Sequence, residues 1–308
     1  MSLLVVGTVA FDTVETPFGR ADRILGGSAT YASLAARVLD APVLLNAVVG
    51  GDFPDAHVET LRTRGVDTAG LVRDAQGETF FWAGRYGLDL NSRETLATHL
   101  NVLATFTPDL PEAYRSPSLV CLGNLDPTVQ TAVIDQTTAS GPLVMADTMN
   151  FWIDQTPDAL AATLARVDVL AINDEEARQL AGVPSLVKAA RIVRDMGPRT
   201  LIIKKGEHGA LLFCDDDIFA VPAYPLEDVI DPTGAGDTFL GGFAGHLARL
   251  GARDAEAMRQ AVVVGSALAS FVVEAFGPER LLTLRPDELD ARIEAFRRLS
   301  EVPAIATA

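Results

Sequence analysis

Short apolar runs recur along the chain, and all but one end at glycine, asparagine or aspartate. Leu3-Leu4-Val5-Val6-Gly7 is the first, and residues 43–49, 118–122, 142–146, 168–172 and 200–204 repeat it. None alternates with polar residues, so each reads as a strand buried on both faces, as in a parallel sheet. Between them lie stretches with helical spacing. Leu34, Val38 and Leu39 share a face after a helix start at Gly26-Gly27-Ser28, with Ser28 as the expected cap. Residues 54–64, 128–138, 173–182, 254–271 and 286–299 also read as helices. The strand–helix alternation predicts an α/β fold with a parallel sheet and right-handed crossovers. In such sheets ligands gather at the carboxyl ends of the strands. Asp12, in the expected loop after the first strand, and Asn124 and Asp147 fall at such ends.

The rhythm breaks at 77–108. Glu78-Thr79-Phe80-Phe81-Trp82-Ala83-Gly84-Arg85-Tyr86 is aromatic and β-prone, and His99-Leu100-Asn101-Val102-Leu103 reads as a further strand. A small sheet inserted in the larger domain fits. The Ala-rich end at 303–308 is expected to fray.

Val229-Ile230-Asp231-Pro232-Thr233-Gly234-Ala235-Gly236-Asp237-Thr238-Phe239 carries the most chemistry. Asp-Pro-Thr favours a turn. Phe239, Leu240, Phe243 and Leu247 then mark an amphipathic helix over 238–250. Gly234-Ala235-Gly236 therefore enters a helix, where free N–H groups and the dipole bind anions such as phosphate. Asp237 is either a first-turn acid or a general base beside a transferring phosphoryl group.

Composition narrows the partners. The 308 residues carry a formal net charge of −16, which argues against nucleic acid and anionic membrane surfaces as partners. No apolar run reaches ~18 residues without a charge, and the first residues lack the basic flank of a signal peptide. Cys121 and Cys214 sit in apolar runs, and the four histidines show no ligand spacing. A reducing cytoplasm is the expected location.

Asp-Pro-Thr-Gly-Ala-Gly-Asp resembles the C-terminal signature of the PfkB/ribokinase-like family, D-T-x-G-A-G-D. The resemblance implies a three-layer α/β/α sandwich with a mostly parallel central sheet and a small β-sheet lid. The chain would be one kinase domain over 1–308, with the lid at about 11–20 and 77–108. Asp237 would be the catalytic base, and Gly234, Ala235 and Gly236 the anion hole. Gly26 and Gly27 match the family's acceptor-contacting double glycine, with Tyr31 where sugar-specific members often carry Asn. Asp12, Asp52 and Asn124 would complete an acceptor site, although a loop acid or helix cap also explains Asp12 and Asp52. Asn173 and Glu176 match N-x-x-E, which places Asn173 near the nucleotide phosphates and Glu176 on Mg2+ through water. Lys205, Gly206 and Gly209 match a nucleotide-lining turn, although a plain hairpin connection with a solvated lysine also explains them, and Asp231 matches a monovalent-cation site for K+ or else orients its turn. Trp82, Arg85 and Tyr86 would touch substrate or pack within the lid. The implied function is ATP-dependent phosphorylation of a hydroxyl on a sugar, polyol or nucleoside, with a homodimer through the lid common in the family. Two rivals stand beside it. One is a non-catalytic sensor on the same fold. The other is an NAD-dependent oxidoreductase, for which Gly234-Ala235-Gly236-Asp237-Thr238-Phe239 lacks the third glycine.

Overall fold

A computed structural model describes residues 1–138 and 141–301, so the expectation for 303–308 lies outside the described residues. The strands, in chain order, are β1 (Leu3–Val6), β2 (Ala10–Thr16), β3 (Gly19–Gly26), β4 (Val43–Gly50), β5 (Val66–Asp74), β6 (Phe81–Tyr86), β7 (Arg93–His99), β8 (Leu119–Leu122), β9 (Leu143–Ala146), β10 (Val169–Asn173), β11 (Thr200–Lys204), β12 (Ala210–Cys214) and β13 (Asp217–Val221). Nine form one sheet in the order β13-β12-β11-β10-β9-β8-β1-β4-β5, parallel except at β11–β12 and β12–β13.

Both faces of this sheet are buried, as the unbroken apolar runs predict. Leu3 and Val5 of β1 point into one core with the helices Ser28–Val38, Ala235–Leu250 and Ala255–Val272. Leu4 and Val6 point into the other, with Val133, Leu160, Leu164, Ala177 and Val193 from helices on that side. The result is the expected three-layer sandwich. Strand order reverses between β1 and β8, and the helix Ala235–Leu250 packs across those two strands. The entry of that helix, Gly234-Ala235-Gly236, thus stands at the switch point, where α/β sheets open a crevice.

The remaining strands form a second sheet, β3-β2-β6-β7. Here several expectations change. Asp12 lies within β2, not in a loop, and the sheet takes in residues up to Gly26 through β3. Residues 99–103 do not form one strand. The chain leaves β7 at His99 and, after Asn101 adopts φ 50°, runs through a 3-10 turn over Asn101–Thr105. Gly27, not Ser28, is the cap of the first helix, because the Ser28 hydroxyl accepts from the Thr8 backbone at 3.0 Å. β5, an edge strand with alternating burial, had no continuous apolar run to announce it. Among the described residues, no helix is long and apolar enough to cross a membrane.

Candidate active site

The signature turn is tied down from both sides. Asp231 accepts from the Thr233 N–H at 2.8 Å and from the Gly277 N–H at 3.1 Å. Gly234 then takes φ 76°, a left-handed conformation that glycine adopts without strain. A Cβ there would also lie 2.5 Å from the Tyr31 ring, which covers this turn. The helix begins at Ala235, whose N–H donates to the Pro232 carbonyl at 3.2 Å, and Gly236 and Asp237 follow in its first turn.

Lys204 occupies the space beside Gly236. A Cβ on Gly236 would come 2.9 Å from its ammonium nitrogen, which pairs with Asp147 Oδ2 at 3.0 Å. Burial opposes the Lys204 charge, but Asp147, Glu176 and Asp237 outweigh it and hold the lysine above its usual pKa. Burial, aided by Asp147, pushes half-buried Asp237 up to about 7, with Lys204 opposing. Burial and Asp147 also push Glu176 up to about 7, again against Lys204. Three carboxyl groups thus share one lysine beside a helix N-terminus. A carboxyl poised near 7 suits proton transfer at neutral pH; among the described residues no group of three or more His, Cys, Asp or Glu side chains could hold a metal ion.

On one side of this cluster lies Asp12, only 4% exposed. Its carboxylate rests on Gly26, where a Cβ would sit 2.0 Å from Oδ2, so the double glycine makes room for the acid. Burial raises Asp12 to about 7; the Gly27 N–H offsets part of the rise, while Asp231 and Asp237 add to it. Among the described residues the buried Tyr31 hydroxyl has no partner, and Asp12, Asp231 and Asp237 raise its pKa beyond what burial does. From the small sheet, buried Tyr86 reaches Thr233 Oγ1 at 3.2 Å. Trp82 and Arg85 do not join this cluster. Arg85 pairs with Glu15 at 2.9 Å, and Trp82 lies against Gly84.

Asp52 is neither a helix cap nor beside Asp237. Its Oδ1 accepts from the Thr79 N–H and hydroxyl, each at 2.7 Å, and its Oδ2 from Arg23 of β3 at 3.1 Å. It therefore ties the turn after β4 to the small sheet. Asn124 accepts from the Trp152 indole at 2.8 Å and donates to Met149 Sδ at 2.9 Å. The stretch 147–152 thus places Asp147 on Lys204 and clamps Asn124.

On the other side, Asn173 and Glu176 form a capping box: Glu176 N–H donates to Asn173 Oδ1 at 2.7 Å, and Asn173 N–H to Glu176 Oε2 at 2.8 Å. Glu176 Oε1 keeps its lone pairs free among the described hydrogen bonds. Lys205, Gly206 and Gly209 form a tight turn closed by Lys205 N–H to Gly209 O at 2.8 Å. Lys205 makes no ion pair among the described residues; the lysine in the cluster is its neighbour Lys204.

The model for the pfkB family of carbohydrate kinases matches residues 5–283. The chain belongs to that family. Its relatives include a cytidine kinase of Thermococcus kodakarensis, 28% identical over 254 residues, which span 81% of this chain and 89% of that protein. A nucleoside kinase of Methanothermobacter thermautotrophicus is 26% identical over 306 residues, 90% of this chain and 91% of that one. Among solved structures, aminoimidazole riboside kinase from Salmonella enterica, complexed with aminoimidazole riboside and an ATP analogue, superposes with TM-score 0.76 at 23% identity, covering 95% of this chain and 100% of that chain. An E. coli structure named as a ribokinase II, in complex with ATP and Mg2+, gives TM-score 0.79 at 20% identity, covering 96% and 99%. The fold is thus ribokinase-like, and this pfkB kinase is a phosphotransferase with an alcohol group as acceptor.

The sequence does not single out Lys204, and it places Asp147 at a strand end without pointing to a lysine partner. A signal for Lys204 was present: it is the one charge closing the apolar run Thr200-Leu201-Ile202-Ile203, at the carboxyl end of a strand.

Proposed function

We propose that the protein transfers the γ-phosphoryl group of ATP to a hydroxyl of a nucleoside or a related sugar or polyol. The observation that carries this reading is Asp237, half-buried with a pKa raised to about 7, in the first turn of a helix whose Gly234–Gly236 entry is kept bare. In this reading Asp237 takes the acceptor's proton as the oxygen attacks. The N–H groups of Gly234 and Gly236 meet the developing charge; that of Ala235, expected to join them, donates to Pro232 O at 3.2 Å. Lys204 lies where it neutralises phosphate oxygens, and its pairing with Asp147 fixes its position. Asp12, against Gly26 and beside Gly27, accepts from acceptor hydroxyls. Asp52 and Asn124 shape the walls of that space through the contacts they hold.

The donor phosphates would lie toward Asn173, Lys205, Gly206 and Gly209. Glu176 fits Mg2+, which keeps most of its waters and needs few carboxylates; when bound, the ion neutralises charge on the terminal phosphates. For K+, Asp231 is the candidate. Both its oxygens already accept backbone N–H bonds, which supports a turn-orienting role, and exchange of K+ for Na+ in the assay tests any requirement. The small sheet acts as the lid that excludes water from the transfer. Exposed Leu88, Leu96 and Leu100 on or beside it support a homodimer through that sheet. The chain works in the cytoplasm on a small molecule.

Nucleosides come first because the relatives over most of the chain are named as cytidine and nucleoside kinases. The experiment is a coupled ADP-release screen with ATP–Mg2+ over nucleosides, sugars and inositols. Acceptor-dependent ADP release is the expected result. Tight acceptor binding with no transfer from any nucleotide would favour the sensor instead.

A further inference from the structure

The turn that follows the helix Ala255–Val272 holds the signature stretch at two points. Val273 O accepts from the N–H groups of Ile230 and Asp231 at 2.8 and 3.3 Å. The Gly277 N–H donates to Asp231 Oδ2 at 3.1 Å. Gly277 takes φ 62°, and a Cβ there would lie 2.9 Å from Ile24 Cδ1, so the same turn also meets β3 of the small sheet. Asp231 Oδ1 in turn accepts from the Thr233 N–H, one residue before Gly234. Whatever fixes residues 273–277 therefore bears on the entry of the helix that carries Asp237.

Glu274 lies within this turn and gives both carboxylate oxygens to arginines of the C-terminal helices. Its Oε2 accepts from Arg280 Nε, in the helix Glu279–Thr283, at 2.8 Å. Its Oε1 accepts from Arg292 Nη2, in the helix Pro286–Leu299, at 2.7 Å. Arg280 continues to Glu288 Oε1 at 3.3 Å. Glu288 and Arg292 are four apart, so one helix face presents both. Arg292 is itself held: its guanidinium lies 4.0 Å from the Tyr224 ring centre and 3.9 Å from that of Phe271, and its Nη1 donates to Ser270 Oγ at 2.7 Å. Its side chain is 13% exposed. An exposed ion pair would hold no fixed geometry. A stacked planar guanidinium holds its carboxylate in one orientation. Apolar packing alone would attach the last helix but would not orient residue 274.

We propose that Glu274 is a positioning residue for phosphoryl transfer. Arg280 and Arg292 fix it so that Val273 and Gly277 keep the Asp231 turn in the geometry that receives the donor's terminal phosphoryl group. The inference rests on the kinase reading above for the identity of that group, and on the hydrogen bonds alone for the coupling. Glu274 acts through the backbone of its own turn, then through Asp231 and Thr233, on the N–H groups of Gly234 and Gly236. Small displacements there matter, because a donor aimed at a reacting phosphoryl group loses effect when it is misplaced by about 1 Å. The C-terminal helices thereby become the support of a turn 46 positions upstream of Gly277.

The test compares wild type, Glu274→Gln and Arg292→Lys by amide hydrogen exchange of the free protein and by titration calorimetry with ATP–Mg2+ and ADP–Mg2+. Gln matches Glu in shape but sets an NH2 group against one of the two arginines, so one bond of the pair is lost. Lys keeps the charge of Arg292 and loses the fork and the stacking. The amides of Ile230, Asp231 and Thr233 are hydrogen-bonded and report the turn directly. In Glu274→Gln they should exchange at least about tenfold faster. ATP affinity should fall about three- to thirtyfold while ADP affinity changes less than about twofold, because ADP lacks the phosphoryl group that reaches the turn. Arg292→Lys should move both readouts the same way by less. Faster exchange confined to 270–299, with 229–238 as in wild type, would overturn the proposal and leave the network a tie for the last helix. Equal losses for ATP and ADP, or an ATP loss below about threefold, would overturn it too. If Glu274→Gln does not fold, Arg292→Lys carries the test, and unchanged exchange at 229–238 refutes the coupling. If wild type bound no ATP, the kinase reading would fall, and the exchange comparison would still decide whether Glu274 sets the turn.

Discussion

Replacing Asp237 with Asn should make the protein more stable and nearly inactive at the same pH. Asn matches the protonated acid in shape and cannot ionise. The folded protein raises the Asp237 pKa from 3.8 to about 7, chiefly through burial and then through Asp147. A raised carboxyl binds its proton more tightly folded than unfolded. Its contribution to stability is therefore whole below about pH 4 and is lost as pH climbs through about 7. Three pKa units correspond to about 4 kcal/mol as an upper bound; screening at the half-open cleft reduces this to about 1–2 kcal/mol. For a chain of this size that is a rise in Tm of about 2–4 °C at pH 8, and little change at pH 4. Transfer should fall by at least ~100-fold, the scale of a lost general base. The assays are scanning calorimetry at the two pH values and coupled ADP release with the acceptor found by screening. Turnover within tenfold of wild type would refute the role of base. A lower Tm at pH 8 would refute the electrostatic account of the pocket.

Other perturbations probe the same cluster. Lys204→Met leaves Asp147 buried beside Asp237 and Glu176 with no counter-charge, so unfolding by denaturant should show a loss of about 3 kcal/mol, with transfer abolished. Glu176→Gln removes a carboxylate but keeps a hydrogen-bonding side chain at the capping box; the Mg2+ concentration for half-maximal rate should rise about tenfold or more, read from a Mg2+ titration at saturating ATP. Gly236→Val should displace the Lys204 ammonium, which a Cβ already approaches to 2.9 Å, and weaken ATP binding about tenfold by calorimetry.

The sequence determined the fold class and singled out the stretch around Asp237 as the candidate site, because both signals are local. Apolar runs without alternation declare strands covered on two faces, and the run after Gly236 has the helix period whatever it packs against. The capping box at Asn173 and Glu176 is likewise written within four consecutive residues. Only the tertiary structure decided what surrounds Asp237. Lys204 reaches Asp147 across 57 positions, and Tyr86 reaches Thr233 across 147. Those pairings follow from the order of strands in the sheet and from a second sheet folding over its end. Hydrophobic periodicity carries no record of either, because it fixes which face of an element is buried and not which element lies opposite.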